Sequence, residues 1–184
     1  MTQTRLDDVD DALIVARAVD GDTAAFAVLV RRYAPMMRAH KRRLLGGTAD
    51  VDDIVQETLV VAWQRLDELD DPAAVRPWLM RIVSRRAMDR IRATRMHLDV
   101  NEIDHEAPEE TSPPRIVEAR ERAAALDDVL KELPEAQRQC WVLRELGGQS
   151  YEEIAEELSI PASTVRGLLA RARKYIIVRM EQWR

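Results

Sequence analysis

Apolar residues recur every three or four positions along most of this chain, and the strict alternation of a half-buried strand is nowhere sustained. The spacing predicts a first helix over 10–19, with Leu13, Ile14 and Ala16–Arg17 in phase, after a loose start at 1–9. Gly21-Asp22 punctuates it. A longer helix follows from Thr23 to about Leu45, apolar at Phe26, Leu29, Val30, Tyr33 and Met37, and Gly46-Gly47 stops it. The next runs through Ile54, Val55, Leu59, Ala62, Trp63 and Leu66 to about Leu69. Its first turn is loaded with Asp50, Asp52 and Asp53, where negative charge suits the helix dipole. After Asp70-Asp71-Pro72 a helix starting near Ala73 or Arg76 continues to about Arg95. The periodicity returns over 116–131 and again from Leu133-Pro134 to Leu146, with Ala136, Cys140 and Leu143 on one face, before Gly147-Gly148.

The last periodic stretch, 150–173, divides into two short helices. Ser150 with Glu153 forms a capping box. Ile154, Ala155 and Leu158 fall on one face, and Ala155 is small where two helices must approach closely. The corner Leu158-Ser159-Ile160 ends the first helix, and Pro161 suits the first turn of the second. Val165, Leu168 and Leu169 are the second helix's apolar stripe, while Arg166, Arg171, Arg173 and Lys174 make it basic. This is the pattern of a helix-turn-helix, whose second helix enters the major groove of DNA. An ordinary helical hairpin with a solvated basic face would leave the same pattern.

The fold class expected is all-α: two small helical domains, 1–95 and 116–184, joined by a flexible acidic linker at 96–115. The linker carries six acids and no Lys or Arg between 99 and 110, then Pro113 and Pro114, and no period survives in it. Each domain is small enough to be marginal alone.

Charge sharpens the picture through its placement, because the net value of −5 is unusual for a lone DNA-binding protein. From 76 to 95 seven arginines face one acid, Asp89, with Trp78 at the head of the helix and Trp63 one helix earlier. Arginine beside aromatics suits phosphate and unstacked bases. A solvated arginine face with two core tryptophans fits equally. Asp52, Asp53, Gln56 and Glu57 read either as a favourable helix start or as a docking surface for a basic partner.

Catalysis finds little support. His40, His97 and His105 are scattered, no nucleophile stands beside a base, no paired Cys offers a metal site, and no glycine loop cradles phosphate. No catalytic residue, metal or cofactor is expected, and no small-molecule substrate. The lone Cys140 excludes an internal disulfide, fits a reducing compartment and sits on an apolar face where a buried thiol is the default. No apolar run approaches the ~18–20 residues of a membrane span, and the acidic start lacks the apolar core of a signal peptide. The expectation is a cytoplasmic protein without direct membrane insertion.

Four segments in order, 21–33, 50–66, 76–92 and 133–173, resemble the sigma factors of the sigma-70 family, in the short extracytoplasmic-function (ECF) group that keeps only regions two and four. The motifs are D-x-x-Q-E at Asp53, Gln56 and Glu57, W-L-x-x-I-x-x-x-x-x-x-D from Trp78 to Asp89, and the terminal helix-turn-helix. The resemblance implies promoter-directed transcription initiation by core RNA polymerase, with no enzymatic activity of the chain's own. It implies that Asp52, Asp53, Gln56 and Glu57 dock on the β′ clamp helices, and that the β subunit is a further contact. It implies that Trp78, Arg81, Arg85, Arg86 and Arg90 read and melt the minus-ten element. Ser163, Thr164, Arg166, Gly167, Arg171 and Arg173 would lie at the minus-thirty-five element. Promoter DNA and an anti-sigma factor, often membrane-bound, are the other implied partners. Two departures stand out. Arg85 replaces a common Asn in the base-capturing segment, and Gly167-Leu168 replace a Ser-Arg pair, which implies altered promoter preferences. The rival readings are a stand-alone helix-turn-helix regulator with a sensor or dimerisation domain, and a protein that sequesters partners. A sensor domain needs a pocket; the docking and arginine motifs need polymerase and melted DNA.

Overall fold

The computed structural model describes residues 6, 9–46, 51–97 and 114–183. Eight helices are found among them: α1 Asp11–Val19, α2 Thr23–Leu45, α3 Val51–Gln64, α4 Val75–His97, α5 Pro114–Glu132, α6 Glu135–Trp141, α7 Tyr151–Leu158 and α8 Ala162–Arg179. No strand occurs among the described residues. Helices α1–α4 form one bundle and α5–α8 a second, so the expected all-α, two-bundle class is what is seen. Most of the expected linker lies outside the described residues; at its edges, α4 reaches His97 and α5 already begins at Pro114.

Caps explain most boundaries. Asp10 and Asp22 each accept backbone N–H groups at the starts of α1 and α2. Gly46 ends α2 in the left-handed conformation, φ 74°. The end of α3 and the course of α6 differ from expectation, while α4 starts within the expected range. The helix expected to reach Leu69 stops at Gln64. Arg65 leaves the helical conformation at ψ 15° and pairs with Glu68 across a 3₁₀ turn that still buries Leu66. Asp71 caps a 3₁₀ turn, Pro72–Ala74, that feeds directly into α4. Helix α6 widens into a π-helical turn at Val142–Leu146; of the face expected to carry Ala136, Cys140 and Leu143, the last two are buried as expected, with Gln139 and Val142 beside them, and Ala136 is exposed.

The first bundle has two apolar clusters. One joins Ile14, Val15 and Ala18 of α1 to Ala25, Val28 and Leu29 of α2, Ala62, Leu66, Val75 and Leu79. Leu13 faces out instead, at 56% exposure, so α1 buries the stripe one residue on from that expected. Leu6 and Val9 pack on this cluster, and the Arg32 guanidinium donates to the Val9 carbonyl at 2.5 Å, so these two residues of the expected loose start are anchored. The second cluster gathers Ala34, Met37, Ile54, Val55, Met80 and Val83. A third belongs to the second bundle, through Val129, Leu130, Leu133, Cys140, Leu143, Ile154, Val165, Leu169, Ala172 and Ile176. It also takes in Leu44, Ala87, Met88 and Ile91 of the first, so the bundles share one core.

Two polar residues of α2 are buried without a sequence signal, His40 and Lys41. His40 Nε2 lies 2.8 Å from Ser84 Oγ on α4, and that hydroxyl donates its single proton to the Met80 carbonyl at 2.7 Å. The imidazole must therefore donate through Nε2, and the buried Nδ1 is left as an acceptor without a hydrogen-bond partner. Burial, with the Arg43 charge adding to it, pushes His40 down from 6.5 to about 4. Between those values the unfolded chain binds more protons than the folded one, so this group's contribution is complete above pH 6.5 and lost as pH falls toward 4. The total is ~3 kcal/mol at 1.36 kcal/mol per pH unit. Thermal melts from pH 7 to pH 4 should accordingly show a flatter decline for His40→Gln than for the wild type; equal slopes would remove His40 from the acid response.

Candidate nucleic-acid interface

Three groups of residues carry the candidate chemistry, each placed by a helix whose opposite face is core. On α3, Ile54, Val55, Thr58 and Ala62 are buried, which turns Asp52, Asp53, Gln56, Glu57 and Val60 outward. The outward strip continues to Trp63, 38% exposed, whose ring meets Phe26 edge-on with centroids 4.8 Å apart. Asp52 accepts from Arg38 at 2.8 Å, and Glu57 lies 3.4 Å from Arg86 of α4. Arg86, expected at the minus-ten element, thus sits beside the expected docking surface.

On α4, Val75, Leu79, Met80, Val83, Ser84, Ala87, Met88 and Ile91 are buried and form one stripe. Between them, Arg81, Arg85, Arg90 and Arg92 are exposed, and Ile82 and Arg86 are partly buried. Trp78 is half-buried against the first cluster, so it is in part a core tryptophan and in part available at the surface. Arg81 approaches Glu153 of α7 at 3.5 Å, and Arg92 donates to the Glu157 carbonyl at 2.9 Å. The Glu157 carboxylate is 3.7 Å from Arg92, beyond hydrogen-bond reach, and its buried Oε1 has no hydrogen-bond partner. Burial raises the Glu157 carboxyl above the ordinary value, against the pull of the Arg92 and Arg85 charges.

The third group is α7 and α8. The capping box is present: Glu153 N–H donates to Ser150 Oγ at 3.1 Å, and Ser150 N–H to Glu153 Oε2 at 2.7 Å. That backbone N–H is the main reason the Glu153 carboxyl is held below its usual range. Ser159 makes the corner in the left-handed conformation, φ 54°, and the Ile160 N–H returns to the Ala155 carbonyl at 3.0 Å. Pro161 sits one place before α8 rather than in its first turn, and its carbonyl takes the Thr164 and Val165 N–H groups. Ile154 packs with Val165 and Leu169 in one cluster, which fixes the angle between the two helices. At 3.6 residues per turn, Ser163, Thr164, Arg166, Gly167, Arg171 and Lys174 share the side of α8 opposite the buried Val165, Leu169 and Ala172. Arg173 lies at the edge of that side and pairs with Glu145 of the π-helical turn at 2.6 Å.

Comparisons with known proteins identify the family. Residues 29–96 match the family model for Sigma-70 region 2, and residues 123–176 that for Sigma-70, region 4. The chain belongs to the sigma-70 family, in its extracytoplasmic-function group. It is 39% identical to the RNA polymerase sigma factor NccH of Alcaligenes xylosoxydans over 90% of this chain and 91% of that protein. It is 33% identical to the ECF RNA polymerase sigma-E factor of Escherichia coli, over 90% and 92% respectively. Among solved structures it resembles CnrH in complex with the cytosolic domain of CnrY, with TM-score 0.56 and 27% identity over 94% of this chain and 97% of that one. The Bartonella quintana sigma factor RpoE, solved with the anti-sigma factor NepR, shares the fold at TM-score 0.56 and 22% identity, over 85% of this chain and 96% of that one. The family is one of transcription regulators rather than enzymes.

Sequence reasoning about this sigma factor counted Arg92 among the arginines of α4 but missed its partner Glu157, and it missed Glu145, the partner of Arg173. Both pairs join elements distant in sequence, and helical periodicity carries no signal for that. Cys140 is buried as expected, and burial pushes its thiol up to about 11, which keeps it protonated and unreactive. Gly167 has room for a side chain: an added Cβ would meet nothing nearer than Arg171 Nη2 at 4.0 Å. Gly167→Ala should therefore stabilise the protein by ~1 kcal/mol through helix propensity alone, read as a rise in melting temperature. A lower melting temperature would show that α8 needs the glycine for its backbone.

Proposed function

We propose that this sigma factor binds core RNA polymerase and directs it to promoters, through the three surfaces described above. The observation that carries this reading is the joint placement of the exposed α3 strip and the exposed arginine face of α4 on one bundle, with a helix-turn-helix on the other. The α3 strip, Asp52, Asp53, Gln56 and Glu57, has the acidic and amide character that suits the β′ clamp helices, and the β subunit is a second contact. Trp78, Arg81, Arg85, Arg86 and Arg90 serve the minus-ten element: arginines engage phosphate and base edges, and the exposed part of Trp78 offers a stacking surface to an unstacked base. Ser163, Thr164, Arg166, Gly167 and Arg171 face the minus-thirty-five element in the major groove, and Arg173, held by Glu145, lies at its margin. The chain itself performs no chemistry; it lends specificity and strand opening to the polymerase.

The domain division 1–95, 96–115 and 116–184 follows the same assignment. An anti-sigma factor is the controlling partner, in keeping with the company in which the similar Bartonella protein was solved. No helix among the described residues is long and apolar enough to cross a membrane. The proposed location is the cytoplasm, with any membrane attachment supplied by the anti-sigma factor.

Run-off transcription with purified core polymerase on pooled promoter fragments tests the whole. Discrete new transcripts sharing two upstream motifs are expected, and their absence would overturn the proposal. Gln56→Ala combined with Glu57→Ala should weaken co-purification with core polymerase while leaving the melting temperature within a degree or two, since both side chains are exposed. Undiminished co-purification would remove the docking role. Arg171→Ala should cost ~1–3 kcal/mol of promoter binding by the holoenzyme, measured as occupancy at the minus-thirty-five element. Unchanged occupancy would take Arg171 out of the interface.

A further inference from the structure

Gly167 sits in the interior of α8, where glycine is poorly suited to a helix, and the fold gives no reason for it. Other glycines of the chain have one. Gly46 takes a left-handed φ of 74°, and a Cβ on Gly147 would come within 2.6 Å of the Leu143 carbonyl oxygen. Gly167 has no such φ. Leaving aside the backbone of α8 itself, a Cβ there would find one neighbour among the described residues, Arg171 Nη2 at 4.0 Å. Val165, Leu169 and Ala172 are buried, which puts Gly167 at the middle of the outward side of α8.

That neighbour accounts for the glycine. Long side chains on a helix run back toward its N-terminus and settle over the turn before their own. The Arg171 guanidinium does so and lies over Gly167. It is thereby carried toward the start of α8 by about 6 Å, four residues at ~1.5 Å each. The N-terminal half of a recognition helix is the part that meets base edges. Arg173, at the margin, is held by Glu145 at 2.6 Å. Arg171, by contrast, forms no hydrogen bond or ion pair among the described residues. Its planar fork of donors matches the O6 and N7 acceptors of guanine, a match an ammonium cannot make. A long side chain at 167 would take the guanidinium's place and turn it toward the C-terminal half of the helix.

We propose that Gly167 is a positioning residue that sets promoter specificity: its bare backbone lets the Arg171 guanidinium lie over the first half of α8 and read one guanine of the minus-thirty-five element. The proposal rests on the promoter-binding reading of α8 given above. The departure from the family motif at 167 thus acts through the arginine one turn further on. Gly167 itself supplies no contact; it supplies the space in which the contact is made.

Selection from promoter duplexes with a randomised minus-thirty-five element, by holoenzyme assembled from the full chain and core polymerase, tests this. The wild type should enrich guanine at one base pair. Arg171→Lys, which keeps the charge and loses the fork, should lower that preference about tenfold. Gly167→Gln and Gly167→Leu should lower it as much and at the same base pair. Preferences elsewhere in the element should persist, because separated base pairs contribute roughly additively. Both variants should melt no lower than the wild type, since Gln and Leu favour helix over Gly. Gly167→Gln combined with Arg171→Lys should lose no more than either alone, as expected of two residues acting through one contact. An undiminished guanine preference in the Gly167 variants, a loss at a different base pair, or additive losses in the double variant would overturn the inference and leave the promoter-binding reading standing. A lower melting temperature with preference lost at every position would assign Gly167 to the folding of α8 and overturn the specificity role. A wild-type holoenzyme that enriches no minus-thirty-five sequence would overturn both.

Discussion

Every other part of the molecule leans on the burial of one stripe of α4, from Val75 to Ile91. Its upper half fills the two clusters of the first bundle, and its lower half, Ala87, Met88 and Ile91, enters the core shared with the second. Each large apolar side chain so buried contributes about 1.5–3 kcal/mol. The stripe fixes the rotation of α4 about its axis. Once that rotation is set, the arginines have nowhere to go but outward, and their direction follows from the packing of their neighbours. The same logic turns the α3 strip to solvent and orders α8 between Val165 and Ile176.

Polar groups inside the bundle reinforce that rotation. The chain from His40 to Ser84 to the Met80 carbonyl ties α2 to α4 through a single tautomer. It leaves Nδ1 unpaired, a cost the surrounding packing has to offset. At the far end of the chain, the capping box of Ser150 and Glu153 and the left-handed Ser159 hold α7 to a fixed length and aim α8. Glu153 serves two purposes there, satisfying a backbone N–H within its own helix and presenting charge to Arg81.

Much of this was legible in the residues. The Gly46 stop, the capping box and the corner at Ser159 all depend on interactions within a few positions of one another. Local spacing determines these, so local spacing revealed them. What was misjudged follows a different rule. Leu13 and Ala136 were assigned to buried faces from their period, but the buried face of a short helix is chosen by its neighbours. The π-helical turn at 142–146 shifts the phase of the helix by one residue, and no residue type announces it. The burial of His40 and Lys41 was likewise invisible, since residues of those types sit in cores only where a partner helix supplies a site.

By itself the sequence determined the helices, their caps, the class of the fold and the family motifs, because each is written in contacts between residues three or four apart or in residue identities at fixed spacing. The tertiary structure alone decided which arginines meet which acids. Arg92 with Glu157, Arg43 with Asp127 and Arg173 with Glu145 join positions 65, 84 and 28 residues apart. Pairing at that range depends on how whole helices rotate to bury their apolar stripes, and that is settled only when all the stripes are buried together.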